Sequence, residues 1–292
     1  MTLDLEHLAK SAREHAFLAS DERIRHVHTA RWISYPRGEV ILEHLQRLIA
    51  YPTCARMPCL LLYGESGIGK TMILEKFSRT HRPGWDNKRG VEIRPVLLVQ
   101  MPPAPDERRL SAACLGALNA PHLHSAKLWS LEQVALSLLQ QISVRALIFD
   151  EVQHVLAGSQ REQRRALNVI KSLANHLRVA VIAVGTRDAL QAFQTDPQMV
   201  TRFEPFELPR WIETDAFRSF LNALQRELPL RKASSLADRD CTQLLLRRSD
   251  GITGTVCWIV GQAAEEAIRS GAECIDVALI DRVSQRLRAL PH

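Results

Sequence analysis

The sequence predicts an α/β fold, a parallel sheet flanked by helices, with a small helical domain at its C-terminal end. Two observations carry this. Four short apolar runs, Cys59–Tyr63, Pro95–Gln100, Arg145–Asp150 and Val179–Gly185, alternate with longer stretches of helical pattern. After Pro209 the strand pattern stops and only helical patterns follow. Runs this uniformly apolar suit strands covered on both faces, and the stretches between them are long enough for crossover helices.

In chain order, residues 1–37 read as a charged, helical N-terminal arm in which Trp32 and Tyr35 lead into Pro36. This arm is a plausible docking segment for a partner. Residues 38–209 read as the α/β core. It opens with an amphipathic helix, Gly38 to Ala50, that places Val40, Ile41, Leu45, Leu48 and Ile49 on one side. A fifth short strand is expected around Phe206–Leu208. Residues 210–292 read as a helical lid domain, with helices over 215–227, 235–248, 256–270 and 276–290. Leu228-Pro229 and Asp250-Gly251 serve as breaks.

Composition bounds the possibilities. A chain of 292 residues, 46% hydrophobic, can bury a core and a smaller second domain, which excludes global disorder. The formal charge of +6 suits a phosphate-bearing partner such as nucleic acid, and equally suits an ordinary, mildly basic protein. The six cysteines form no C-x-x-C pair and no zinc spacing, so they read as buried small residues in a reducing compartment. The N-terminus lacks a signal-peptide apolar stretch, and no run is long enough to span a bilayer. The expected location is the cytoplasm, with no membrane partner.

The decisive segment is Gly64-Glu65-Ser66-Gly67-Ile68-Gly69-Lys70-Thr71, which matches G-x-x-x-x-G-K-S/T between an apolar strand and a helix. Glycines let the backbone turn so that successive N–H groups converge on phosphate oxygens, aided by the helix N-terminus. Lys70 is expected to reach the β- and γ-phosphates of ATP, and Thr71 to bind Mg²⁺. Met72 completes the expected nucleotide-binding segment. The strand Ala146–Phe149 ends in Asp150-Glu151, which places two carboxylates at the same sheet edge. Asp150 is the expected second Mg²⁺ ligand and Glu151 the general base for the attacking water.

Two further positions admit two readings each. Thr186, after the strand Val179–Gly185, either holds the lytic water or the γ-phosphate, or caps the next helix. Arg202 either reaches a neighbouring subunit's ATP site as an arginine finger or is an ordinary surface arginine.

At these residues the chain resembles the TniB/TnsC group of AAA+ transposition regulators, the ATPase partners of DDE transposases. The resemblance rests on Trp32-Ile33-x-Tyr35-Pro36, Arg56-Met57-Pro58, Val99-Gln100-Met101-Pro102-Pro103 and Val184-Gly185-Thr186-Arg187. The run Thr195-Asp196-Pro197-Gln198 and the stretch from Arg202-Phe203 to Leu208-Pro209-Arg210-Trp211 add to it. It implies a P-loop AAA+ core that binds ATP and assembles as a ring or helical filament on double-stranded DNA. It also implies recruitment of a DDE transposase of the TniA/TnsB kind, contact with a TniQ-like target selector, and disassembly on hydrolysis. The site residues that carry over are Lys70, Thr71, Asp150, Glu151, Thr186 and Arg202. One departure stands out. The segment Gly251-Ile252-Thr253-Gly254-Thr255-Val256, where a lid sensor arginine is expected, has no basic residue, which predicts slow hydrolysis.

Binding to duplex DNA needs cations facing the phosphate backbone. Arg108, Arg109 and Lys127, with Ser125 as a hydrogen-bond donor, are the candidates; solvated surface charge is the alternative. Arg161, Arg164, Arg165 and Lys171 read as decoration of an exposed helix face. Competing readings are a P-loop kinase, a helicase loader and a signalling NTPase. A kinase needs an acceptor pocket and lid arginines, neither of which the sequence displays.

Overall fold

The computed structural model describes residues 4–123 and 126–288. From the N-terminus, α1 (Lys10–His15), α2 (Ser20–His28) and α3 (Pro36–Ala50) precede β1 (Cys59–Tyr63). Then come α4 (Lys70–Thr80), β2 (Gly84–Asp86), β3 (Val91–Ile93) and β4 (Val96–Gln100). Helices α5 (Glu107–Ala117) and α6 (Leu128–Gln141) lead to β5 (Ala146–Asp150), a 3-10 turn (Val152–Ala157), α7 (Gln160–Leu177) and β6 (Ala180–Gly185). Helices α8 (Arg187–Gln194) and α9 (Pro197–Val200) precede β7 (Phe203–Glu207). The chain finishes with α10 (Asp215–Arg226), α11 (Arg239–Ser249), α12 (Thr253–Ser270) and α13 (Val277–Arg288).

The chain divides into two compact units. One comprises Met1–Glu39, Gly67–Gly69 and Pro209–His292; the other comprises Val40–Ser66 and Lys70–Leu208. Residues read from sequence as an N-terminal arm therefore pack in the same unit as the C-terminal helices.

In the sheet-bearing unit, five parallel strands run in the order β4-β5-β6-β1-β7. The central strands β5 and β6 are buried along their whole length, which is why their sequences, ALIFD and AVIAVG, are almost unbroken apolar runs. Register aligns Ile148 with Ile182 and Ile182 with Leu60. Leu61, Val99, Phe149, Leu110, Leu167 and Ile170 meet in one continuous core. Fully burying each side chain of this kind contributes about 1.5–3 kcal/mol.

The edge strand β7 differs from the expected 206–208. It begins at Phe203 and carries Pro205 in register with Leu61. Leu208 N–H donates to the Tyr63 carbonyl at 2.8 Å. Because alternate residues of a strand face opposite neighbours, the Pro205 nitrogen falls on the open side, where no ladder bond is lost.

The β2–β3 hairpin was not expected. It is short and nowhere fully buried, and it turns on Gly90 at φ +64°, with the Asp86 carboxylate accepting from the N–H groups of Lys88 and Arg89. Helix α7 starts at a capping box: Glu162 accepts from the Ser159 N–H at 2.8 Å, and the Ser159 hydroxyl accepts from the Glu162 N–H. Arg161, Arg164 and Arg165 lie exposed on this helix, but Lys171 does not share their role. Its ammonium donates to Asp196 at 2.8 Å and to Gln198 at 3.2 Å, which ties α7 to the short α9.

In the helical unit, α10 to α13 enclose Phe217, Phe220, Leu245, Val256, Ile259 and Ile280. Helix α2 packs on α12 and supplies Arg23, which is 1% exposed. Its guanidinium donates twice to the Pro229 carbonyl, at 3.1 and 2.7 Å, and pairs with both oxygens of Glu273. Glu273 also accepts from the Arg231 N–H at 3.1 Å. A buried charge satisfied this fully holds the N-terminal segment in place. Among the described residues, no helix is long and apolar enough to cross a membrane.

Candidate functional site

The parallel arrangement brings the ends of β1, β5 and β6 to one edge of the sheet, which is where open α/β folds place ligands. In the sheet-bearing unit, that edge presents Gly64-Glu65-Ser66, Asp150-Glu151 and Thr186, with Lys70 and Thr71 opening α4.

Lys70 is 7% exposed, and its ammonium donates to the carbonyls of Gly64 at 2.9 Å and Glu65 at 2.8 Å. Burial pulls its pKa down, while Glu151, Asp150 and Glu65 oppose the shift. Thr71 Oγ1 donates to Asp150 Oδ2 at 3.4 Å, so the first turn of α4 meets the end of β5. Asp150 is 4% exposed; burial raises its pKa, and the hydrogen bond from the Glu151 N–H at 2.9 Å counters that. A hydroxyl and a carboxylate oxygen this close form a hard-oxygen donor pair, the ligand chemistry that Mg²⁺ takes. Met72 follows on α4 and is half-buried.

Glu151 sits in the left-handed region at φ +58°, which residues carrying a side chain rarely adopt. Its side chain is held by Gln153. The Gln153 amide donates to the Glu151 carboxylate, and its carbonyl oxygen accepts from the Thr186 N–H at 3.1 Å. A Cβ at Gly185 would stand 2.6 Å from that same oxygen, so the glycine that ends β6 makes room for the bridge. Sequence reasoning missed Gln153. The available signal was its position two residues after the acidic pair.

Thr186 occupies the N-cap position of α8 but caps nothing with its side chain. Its hydroxyl donates instead to Asp188 at 3.4 Å. Arg187, also missed, bonds Glu207 at 2.7 Å and lies 3.8 Å from Glu65. It thereby joins the loop after β1 to the end of β7.

The remaining loop residues, Gly67, Ile68 and Gly69, belong to the helical unit. Gly67 and Gly69 take φ of +73° and +106°, which side-chain-bearing residues rarely adopt.

Arg202 is not brought to this edge. It is half-buried, its guanidinium donates to Asn175 of α7 at 2.7 Å, and it lies beside the buried Cys59 thiol. Arg108 and Arg109 sit in the first turn of α5. Arg109 donates to the Ala104 carbonyl at 2.9 Å and lies 3.7 Å from Asp106. Arg108 donates to the carbonyl of Ala126, which puts it next to the exposed Lys127. Ser125 lies outside the described residues. Among the cysteines, Cys59, Cys114 and Cys241 are buried, while Cys54, Cys257 and Cys274 are partly exposed.

Residues 23–213 match the family described as bacterial TniB protein. In structure the chain is similar to the ORC1 protein of Aeropyrum pernix in complex with DNA. The TM-score is 0.68 at 16% identity, covering 92% of this chain and 72% of that one. It is also similar to the ORC2 protein of the same organism in its ADPNP–ADP complexes, with a TM-score of 0.62, 18% identity, and coverage of 92% and 72%. Against Cdc6p from Pyrobaculum aerophilum the TM-score is 0.56 at 16% identity, with coverage of 85% and 67%. At these identities the likeness establishes the fold alone, the P-loop AAA+ arrangement of a parallel sheet flanked by helices. No curated protein matches the chain in sequence.

Proposed function

The chain belongs to the TniB family, and from that premise we propose that it is an ATP-hydrolysing switch that assembles on target duplex DNA and recruits a DDE transposase. The observation that carries the ATPase reading is the meeting of Thr71 with Asp150 at 3.4 Å beside the buried Lys70. A glycine loop, a lysine, a hydroxyl and a carboxylate on one sheet edge are the parts phosphoryl transfer needs.

In this reading Gly64–Thr71 and Met72 cradle the triphosphate, and Lys70 exchanges its loop carbonyls for phosphate oxygens. Thr71 and Asp150 would hold Mg²⁺, which would supply neutralisation of charge on the phosphates. Glu151 accepts a proton from the attacking water, and Gln153 holds the carboxylate in the orientation this requires. Thr186, its hydroxyl not used as a cap, faces the same chemistry. Arg202 serves its own fold through Asn175, so action in a neighbour's site requires it to leave that partner.

Support for the DNA role comes from family membership, from the net charge of +6, and from the convergence of Arg108 with Lys127. The ORC1 neighbour of the same fold was captured in complex with DNA. Homo-oligomerisation as a ring or filament, a TniQ-like selector as second partner, and a cytoplasmic location complete the proposal.

The test is a nucleotide titration followed by imaging. Wild-type protein with Mg²⁺ binds ATP, and Lys70→Ala weakens binding by at least about a hundredfold. With a non-hydrolysable analogue and duplex DNA, electron micrographs show ordered assemblies, and Glu151→Gln traps the same assemblies with ATP. Unchanged nucleotide affinity in Lys70→Ala sinks the ATPase reading. DNA binding that is identical with and without nucleotide sinks the switch.

A further inference from the structure

We infer that Thr253 and Gly254, backed by Trp211, are positioning residues that aim the phosphate-loop N–H groups of Ile68 and Gly69; this rests on the nucleotide site proposed above. The expected lid arginine is missing from 251–256, but the segment is not idle. Gly254 N–H donates to the Gly67 carbonyl at 2.8 Å. The Thr253 hydroxyl donates to the Ile68 carbonyl at 2.9 Å. The Trp211 indole N–H donates to that hydroxyl oxygen at 3.0 Å, which leaves the hydroxyl proton for Ile68. All of these residues belong to the helical unit.

Peptide planarity turns these contacts into control of the loop. In a trans peptide the carbonyl of one residue and the N–H of the next point in opposite directions from one rigid plane. Holding the Gly67 carbonyl therefore orients the N–H of Ile68, and holding the Ile68 carbonyl orients the N–H of Gly69. Such N–H groups are what a glycine loop offers to the α- and β-phosphates. The donor on Gly254 is available because N–H groups in the first turn of a helix have no intrahelical acceptor.

The local sequence is shaped for this approach. A Cβ at Gly254 would stand 3.1 Å from the Gly67 carbonyl oxygen. Gly251 takes φ +70°, and a Cβ there would meet the Trp211 carbonyl at 2.4 Å. Trp211 N–H donates to the Gly251 carbonyl at 2.9 Å. The indole is stacked on Phe220 at 5.1 Å and met edge-on by Tyr35 at 5.2 Å. The Trp-Ile-x-Tyr-Pro and Leu-Pro-Arg-Trp segments thus converge on one relay, which ends at two loop carbonyls. A sensor arginine would read the γ-phosphate alone; this relay acts on donors that the diphosphate also uses.

The discriminating experiment titrates ADP and ATP into the full chain and measures ATP turnover. Thr253→Val keeps the shape and removes the hydroxyl; Trp211→Phe keeps the aromatic packing and removes the indole N–H. Each weakens ADP and ATP binding in equal proportion, by about three- to tenfold, the worth of one hydrogen bond. kcat stays within about twofold while KM rises, because the lost term is uniform binding. Thr253→Ser restores wild-type affinity, and thermal melting of all three variants reports on folding. Wild-type affinity for both nucleotides in folded Thr253→Val and Trp211→Phe overturns the inference, as does a loss confined to ATP. A Lys70→Ala control separates the two levels: if it too binds normally, the nucleotide site itself is wrong.

Discussion

Gln153 donates its side-chain amide to the Glu151 carboxylate while its carbonyl oxygen is held by the Thr186 N–H at 3.1 Å. One amide side chain therefore couples the end of β5 to the end of β6. It also supports a glutamate whose backbone lies at φ +58°.

Gln153→Ala is expected to lower ATP turnover by about ten- to hundredfold, part of the 10²–10⁴ that a positioned base supplies. Nucleotide affinity stays within about twofold, since no phosphate donor is touched. Parallel kcat and Kd measurements check this, and unchanged turnover would remove Gln153 from the site.

Arg23→Leu takes the buried guanidinium from the partly buried Glu273 and leaves the Pro229 carbonyl without its side-chain donors, and is expected to destabilise the fold by about 1–3 kcal/mol in chemical denaturation. The ion pair also has a pH signature. Burial raises the Glu273 pKa, but hydrogen bonds from Arg23 and Arg231 outweigh it, and the net shift is downward from 4.5. A depressed folded-state value means that this stabilisation is present above the unfolded pKa and is lost as pH falls through the folded one. Wild-type stability should therefore drop more steeply with acid below about pH 4.5 than that of Arg23→Leu. Parallel acid profiles for the two proteins would contradict it.

Arg108→Ala and Lys127→Ala are expected to weaken duplex binding without changing sequence preference. Each should reduce the slope of log K against log salt by about one. Fluorescence anisotropy at several salt concentrations measures it. A slope equal to wild type in the double variant would relocate the DNA surface.

A mixing experiment tests Arg202. If it acts in a neighbour's site, Arg202→Ala and Lys70→Ala proteins, each inactive alone, should recover turnover together. The recovered site pairs an intact Lys70 with an intact Arg202 from the other variant. No recovery would assign Arg202 to its own fold, through Asn175.

The sheet was legible where burial is two-sided. Strands such as Ala146–Asp150 and Ala180–Gly185 read as apolar runs because both faces are covered, and the glycine loop and acidic pair announce themselves by spacing. Elements whose reason is tertiary were not legible. The hairpin with Trp85 lacks an apolar rhythm, and Pro205 masks the start of an edge strand. Arg23 looks like one more arm charge until Pro229 and Glu273, far along the chain, surround it. Gln153 is an ordinary glutamine until β6 delivers Thr186 beside it. The stretch 251–256 lacks the lid arginine in its sequence, while the bonds it makes to the loop, through the Gly254 N–H and the Thr253 hydroxyl, are ones that no residue pattern reveals.

Pro205 has a consequence for how copies of this chain can join. Its nitrogen interrupts the outward row of donors on β7, and the exposed Glu204 beside it adds charge. A foreign strand would find no continuous template there, so runaway cross-strand polymerisation is blocked at this rim. β7 is one of the two rims of the sheet, and copies of the chain that meet at this rim must do so through side chains rather than by adding a strand.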